Sequence, residues 1–210
     1  MSIPVLHGAP YSVYVRIARL AFEEKGVAYE LRPVDIFAAG GPPPGYERLQ
    51  PFGRIPALEH GDFRLYETDA IVRYLDEAFP GPALSPEAPR ERARMTQVMR
   101  ILDNYGYPSL VWGVFVREAG SEADRDPVRL AAAIEPARRC LAVLEELLAG
   151  PFFLGERLSL ADLHAAPMLT YLALAPTGRR LLEARPGLSA WLTRMAGRPS
   201  LAATRFPAEG

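Results

Sequence analysis

The sequence predicts an α/β domain of about 80 residues followed by an all-helical domain, and three observations carry that reading. Short apolar runs bounded by glycine and proline, the mark of strands, are confined to the first part of the chain. A proline- and glycine-rich stretch, Gly81 to Pro89, then breaks the pattern. Beyond it, apolar residues recur at helical spacing. The expected boundaries are residues 1–80 for the first domain, 81–89 for the linker and 90–210 for the helical domain.

Ile3-Pro4-Val5-Leu6 is short and apolar, and His7-Gly8-Ala9-Pro10 breaks it, as at the end of a buried strand. A helix follows: Val13, Ile17, Leu20 and Ala21 share a face, Ser12 suits its N-cap, and Gly26 is a stop signal. Ala28 to Val34 reads as a second strand. Phe37 to Gly45, with its Gly-Gly-Pro-Pro-Pro-Gly run, reads as an irregular loop. Ile55 to Glu59 and Phe63 to Tyr66 are two strands joined by the hairpin signature His60-Gly61-Asp62. A helix opens near Glu67, with Ile71, Val72, Leu75, Ala78 and Phe79 on one face, and Pro80-Gly81-Pro82 ends it. The order is β-α-β-loop-β-β-α.

In the helical part, Leu130, Ile134, Ala137, Leu141, Leu144 and Leu148 keep one apolar face until Gly150-Pro151. Ser159-Leu160-Ala161-Asp162 reads as a capping box, in which Ser159 caps the third N–H and Asp162 reaches back. Pro167 should kink that helix. A final amphipathic segment carries Leu188, Trp191, Leu192 and Met195.

Composition excludes several function classes. The 210 residues include 25 acidic and 24 basic ones, so no global field favours nucleic acid or an anionic membrane. A small-molecule partner fits better. No apolar run approaches the ~20 residues of a membrane span, and Met1 leads directly into a strand-like segment, so a cytoplasmic protein is expected. Cys140 is the single cysteine, which excludes an internal disulfide and a Cys-x-x-Cys pair. His7, His60 and His164 lie far apart without ligand spacing, and no metal is expected. Lys25 is the sole lysine.

Three separated features share one chemical theme, the recognition of an anionic, peptide-like ligand by helix N-termini and free backbone. Ser12 brings a hydroxyl and unpaired N–H groups to the start of the first helix, although a plain cap needs the same residue. Arg54-Ile55-Pro56-Ala57-Leu58 has proline at the start of a strand. A cis bond would let Ile55 turn its backbone towards an extended ligand, whereas an edge-strand trans proline is the plainer alternative. In Leu65-Tyr66-Glu67-Thr68-Asp69-Ala70-Ile71, Thr68 and the helix end suit a carboxylate and Glu67 suits an ammonium group. An α-amino acid terminus offers both.

Pro51-Phe52-Gly53-Arg54-Ile55-Pro56-Ala57-Leu58, Leu65 to Ile71 and Ser159-Leu160-Ala161-Asp162 together resemble the corresponding segments of cytosolic glutathione transferases, in their bacterial, serine-type form. The resemblance implies a thioredoxin-like first domain, a helical second domain, a homodimer and a cis bond at Ile55-Pro56. It implies glutathione as co-substrate, with Ser12 donating to the sulfur, Ile55 pairing through its backbone with the cysteinyl part, and Glu67 and Thr68 holding the γ-glutamyl end. Tyr11 or Tyr14 remains open as an alternative sulfur partner.

Conjugation then follows from thiol chemistry. A free thiol is mostly protonated at neutral pH, so a hydroxyl donor and a helix N-terminus that stabilise the thiolate activate it against an electrophilic carbon. An apolar electrophile pocket is expected between the domains from Tyr11, Tyr14, Phe37, Tyr105, Trp112 and Phe115, the last three sharing a helix face. An aromatic stripe of that kind equally suits a core. The family's loop after the second strand often supplies lysine or histidine to the glycyl carboxylate; here it reads Phe37-Ala38-Ala39-Gly40-Gly41, and Arg54 is the expected substitute. Ala9-Pro10-Tyr11 replaces the Ser-Ser-Cys of the maleylacetoacetate isomerase class, and no cysteine in the first turn supports mixed-disulfide chemistry. The alternatives are a glutathione-dependent disulfide-bond reductase and a non-catalytic binding module.

Overall fold

A computed structural model describes residues 2–210 of the chain, which divides into two units. The first comprises the chain up to Ala83 together with Pro199–Gly210; the second is Leu84–Arg198.

In the first unit, β1 (Val5–Gly8) leads into α1 (Val13–Lys25), then β2 (Glu30–Pro33), a 3-10 turn (Tyr46–Arg48), β3 (Ala57–His60), β4 (Phe63–Tyr66) and α2 (Thr68–Ala78). The sheet order is β2-β1-β3-β4, with β1 parallel to β2 and antiparallel to β3, and β4 antiparallel to β3. This is the thioredoxin-like arrangement expected of the first domain. The sequence pattern ends the first strand at Leu6, yet β1 continues through Gly8. The reason is close packing: a Cβ at Gly8 would lie 2.3 Å from Val15 Cγ2, so only glycine lets α1 settle against the strand there.

Helix α1 begins and ends on local signals. Ser12 Oγ accepts from Val15 N–H at 3.3 Å, and Gly26 closes the helix with φ 66°. Leu6, Ile17, Leu20, Leu58, Ile71 and Leu75 are fully buried and form the core of the unit. Each such side chain contributes roughly 1.5–3 kcal/mol relative to an exposed one. Two cations are buried as well. Lys25 Nζ donates to the Asp76 C=O at 2.9 Å and to its carboxylate at 3.3 Å, joining α1 to α2.

Arg16 donates to Thr204 Oγ1, to the Leu201 C=O and to Glu209 Oε1, and its guanidinium lies 4.3 Å from the centre of the Phe206 ring. The sequence pattern runs the helical domain to residue 210, whereas Pro199–Gly210 belongs to the first unit. A buried guanidinium needs these partners, and the segment beyond α9 (Pro199–Ala203) supplies most of them.

The second unit is helical: α3 (Pro89–Ile101), a π-helix (Leu102–Val116), α4 (Arg117–Ala119), α5 (Pro127–Leu147), α6 (Leu160–Leu174), α7 (Pro176–Glu183) and α8 (Pro186–Ala196). Pro108 inside the π-helix has no N–H to continue an α-helical ladder, which favours the wider turn. Leu84, expected in the linker, is buried, and its C=O accepts from Leu160 N–H at 3.0 Å.

At the start of α6 the Asp162 carboxylate accepts from Ser159 N–H and Oγ–H, from Phe153 N–H and from the Trp191 indole N–H. Burial pushes this carboxyl up while the four donors pull it back. Asp162 therefore reaches back as expected and also ties the loop before α6 to α8. Pro167 lies inside α6.

Candidate active site

The strand register brings the candidate residues of the first unit to one edge of the sheet. His7 of β1 pairs with Ala57 of β3, and Ala57 pairs with Tyr66 of β4. Just past these pairs, on the same side, come Ala9 to Ser12 after β1, Ile55 and Pro56 before β3, and Glu67 and Thr68 after β4. Gly8 pairs with Pro33 in the parallel direction, so the segment Val34 to Phe37 leaves β2 at that edge too. Two helices, α1 and α2, begin there, each directing unpaired N–H groups and the positive end of its dipole outward.

The groups at this edge keep their polar valences open. Ser12 Oγ accepts from Val15 N–H, and among the described residues its hydroxyl proton has no acceptor. The Ile55-Pro56 bond is cis. Ile55 is buried, and its N–H carries no hydrogen bond to any described residue. Glu67 occupies the N-cap position of α2 with φ 69°, the one non-glycine residue of positive φ among those described. That conformation costs on the order of 1–3 kcal/mol and is concentrated at ligand sites. Its side chain is exposed and makes no capping bond, while Thr68 beside it is buried.

Tyr11 stands differently. Its hydroxyl donates to Asp35 Oδ1 at 2.6 Å, and its ring lies 5.7 Å from that of Phe37. Burial first, and then the Asp35 hydrogen bond, raises the phenol above its ordinary value; the same bond lowers Asp35. The Tyr11 hydroxyl proton is thus committed to Asp35, whereas that of Ser12 has no acceptor among the described residues.

Arg54 is exposed, as a ligand contact from this loop would require. Phe37 is 66% exposed. Tyr14 lies in the first turns of α1. In the second unit, Tyr105 and Trp112 of the π-helix are exposed, whereas Phe115 stacks on Tyr171 with ring centres 4.2 Å apart. Phe115 is thus partly committed to packing. Cys140 is buried and its thiol is pushed up to about 12, so it is no nucleophile at neutral pH. Among the described residues no group of three or more His, Cys, Asp or Glu could hold a metal ion, and no helix is long and apolar enough to cross a membrane.

Sequence reasoning passes over three residues that shape this edge: Asp35, Tyr46 and Gln50. Asp35 engages Tyr11, while Tyr46 and Gln50 bond the backbone of the Phe52 to Arg54 turn. No local pattern marks them, because each acts on a backbone or side chain chosen by the fold.

Residues 6–83 match the family model described as glutathione S-transferase, N-terminal domain, and residues 127–194 match that described as glutathione S-transferase, C-terminal domain. A glutathione S-transferase of Silene vulgaris is 33% identical over 95% of each chain. The crystal structure of glutathione transferase F7 from Populus trichocarpa superposes with a TM-score of 0.85, 29% identity and coverage of 96% of this chain and 97% of that one. A structure of glutathione S-transferase-I bound with lactoylglutathione gives a TM-score of 0.84, 27% identity and coverage of 97% and 98%.

Proposed function

The chain belongs to the glutathione S-transferase family, and on that premise we propose that its thioredoxin-like domain, residues 1–80, binds glutathione through a serine-type site and presents the sulfur to small hydrophobic electrophiles. Support comes from the sheet edge, where Ser12, Ile55, Glu67 and Thr68 converge with open hydrogen-bonding valences and the N-termini of α1 and α2. A structural relative at 27% identity holds lactoylglutathione, a glutathione conjugate.

In this reading the γ-glutamyl carboxylate meets Thr68 and the start of α2, its ammonium meets the Glu67 carboxylate, and Ile55 pairs with the cysteinyl backbone. The Ser12 hydroxyl donates to the sulfur and, with the N-terminus of α1, lowers the thiol pKa by on the order of two units. The thiol proton passes to solvent. The thiolate then forms a C–S bond to the electrophilic carbon, and the leaving group departs with its electron pair. Glutathione is the co-substrate and no step calls for a metal ion. On the first unit, Phe37, Tyr11 and Tyr14 are proposed to receive the apolar electrophile. The homodimer and the cytoplasmic location belong to the same proposal, the former supported by exposed apolar side chains such as Tyr105 and Trp112.

Assays with glutathione and chlorodinitrobenzene, and separately with hydroxyethyl disulfide, test the reading. Conjugation is expected to dominate. Disulfide reduction without conjugation would assign the reductase activity instead, and no glutathione binding at millimolar concentration would leave only a binding or dimerisation role.

A further inference from the structure

The turn before β3 is held by two buried side chains. Gln50 Oε1 accepts from Phe52 N–H at 2.7 Å and from Arg54 N–H at 3.0 Å, and Tyr46 Oη donates to the Arg54 C=O at 2.8 Å. Tyr46 is 4% exposed and Gln50 1%. Both stand on one short segment, since Leu49 N–H and Gln50 N–H each bond back to the Tyr46 C=O. Burial keeps the Tyr46 phenol protonated, its pKa raised to about 12, so it remains a donor at any physiological pH.

The Arg54 C=O and the Ile55 N–H belong to the same peptide unit. That unit is planar, and in its usual trans form its N–H points away from its C=O. Anchoring the carbonyl on Tyr46 Oη therefore fixes the direction of the Ile55 N–H, which no described residue uses. Gln50 fixes the other side of Arg54 by holding its N–H. Together they leave the Arg54–Ile55 peptide little freedom to rotate about its flanking bonds.

We propose that Tyr46 and Gln50 are positioning residues that aim the Ile55 amide at the backbone of the bound peptide, setting the affinity for glutathione without touching it. The inference rests on Ile55 serving as the backbone donor in the reading above. The two side chains supply preorganisation: the turn is already set when the ligand arrives, so less ordering opposes binding.

Steady-state kinetics with glutathione and chlorodinitrobenzene, on the full chain, test it through three variants. Tyr46→Phe keeps the ring and loses only the donor; Gln50→Leu removes the acceptor; Gln50→Glu keeps an acceptor oxygen for both amides. We expect Tyr46→Phe and Gln50→Leu to raise KM for glutathione about five-fold or more, as for a lost hydrogen bond, with kcat and the KM for the electrophile within two-fold. Gln50→Glu should restore most of the loss. A purely structural role would lower the melting temperature or the active fraction and leave KM for glutathione unchanged, which would overturn the proposal. Should Gln50→Leu fail to fold, Tyr46→Phe decides alone. Wild-type protein that binds no glutathione would refute the underlying reading; wild-type binding with unaltered variants would refute this inference only.

Discussion

The Trp191 indole N–H donates to Asp162 Oδ1 at 2.9 Å across 29 residues of sequence, joining α8 to the first turn of α6. With Ser159 and Phe153 also donating to the same carboxylate, one fully buried side chain holds three segments of the helical unit.

Replacing Asp162 should accordingly unfold that unit more readily than any cap substitution. Asp162→Ala leaves four buried donors without an acceptor and is expected to cost about 3–5 kcal/mol. Chemical denaturation followed by the fluorescence of the two tryptophans, Trp112 and Trp191, both in this unit, measures it. A change below ~1 kcal/mol would mean that water satisfies the donors.

Ser12→Ala should cost only about 1 kcal/mol of stability, the usual worth of a helix cap. Its effect on chemistry should be larger: the thiol pKa of bound glutathione should rise by up to about two units, less whatever the α1 N-terminus still supplies, and conjugation at neutral pH should fall by up to roughly twenty-fold. Ultraviolet difference titration of bound glutathione follows the thiolate. An unchanged pKa would transfer the role to Tyr14 or to backbone amides.

Tyr11→Phe separates the two hydroxyls at this edge. Because Tyr11 is raised above the ordinary phenol value, it is protonated throughout the neutral range and occupied by Asp35. The variant should keep conjugating activity within about three-fold, as measured by steady-state kinetics with glutathione and chlorodinitrobenzene. On the acid side, Asp35 is lowered by the same bond, so the contribution of the pair is present above the ordinary carboxylate value and lost as pH falls through the depressed one. A loss of roughly ten-fold or more would make Tyr11 the sulfur partner.

Arg54→Ala should weaken glutathione binding about ten-fold, by removing a charge-assisted bond to the glycyl carboxylate. Since Arg54 is exposed, the loss should shrink at high salt. Calorimetric titration at two salt concentrations checks both statements, and equal affinities would reduce Arg54 to a solvated surface residue.

What was legible in the sequence is what neighbouring residues decide among themselves. Ser12 and Gly26 bound α1 as their types predict, Ser159 and Asp162 meet at the start of α6, and β4 spans the expected residues Phe63–Tyr66. The strand before it is shifted, beginning at Ala57 and ending at His60. Helix α7 and the short α9 fall outside the periodicity reading. The site was legible as residue types but not as geometry. Nothing about a glutamate announces the positive φ of Glu67, and the bonds from Tyr11 to Asp35 and from Arg16 to Glu209 cross 24 and 193 residues. Local patterns carry no information over such separations.

The burial of Lys25 makes the protein unusual as a substrate for amine chemistry. Its one lysine side chain is 2% exposed and bonded to Asp76, so a reagent that acylates lysine finds no side-chain target on the folded surface. Acylation at Lys25 requires α1 and α2 to part. The rate at which acylation appears on the peptide that holds Lys25 thus reads out the opening of the first unit, with no probe to be introduced and no competing lysine to subtract.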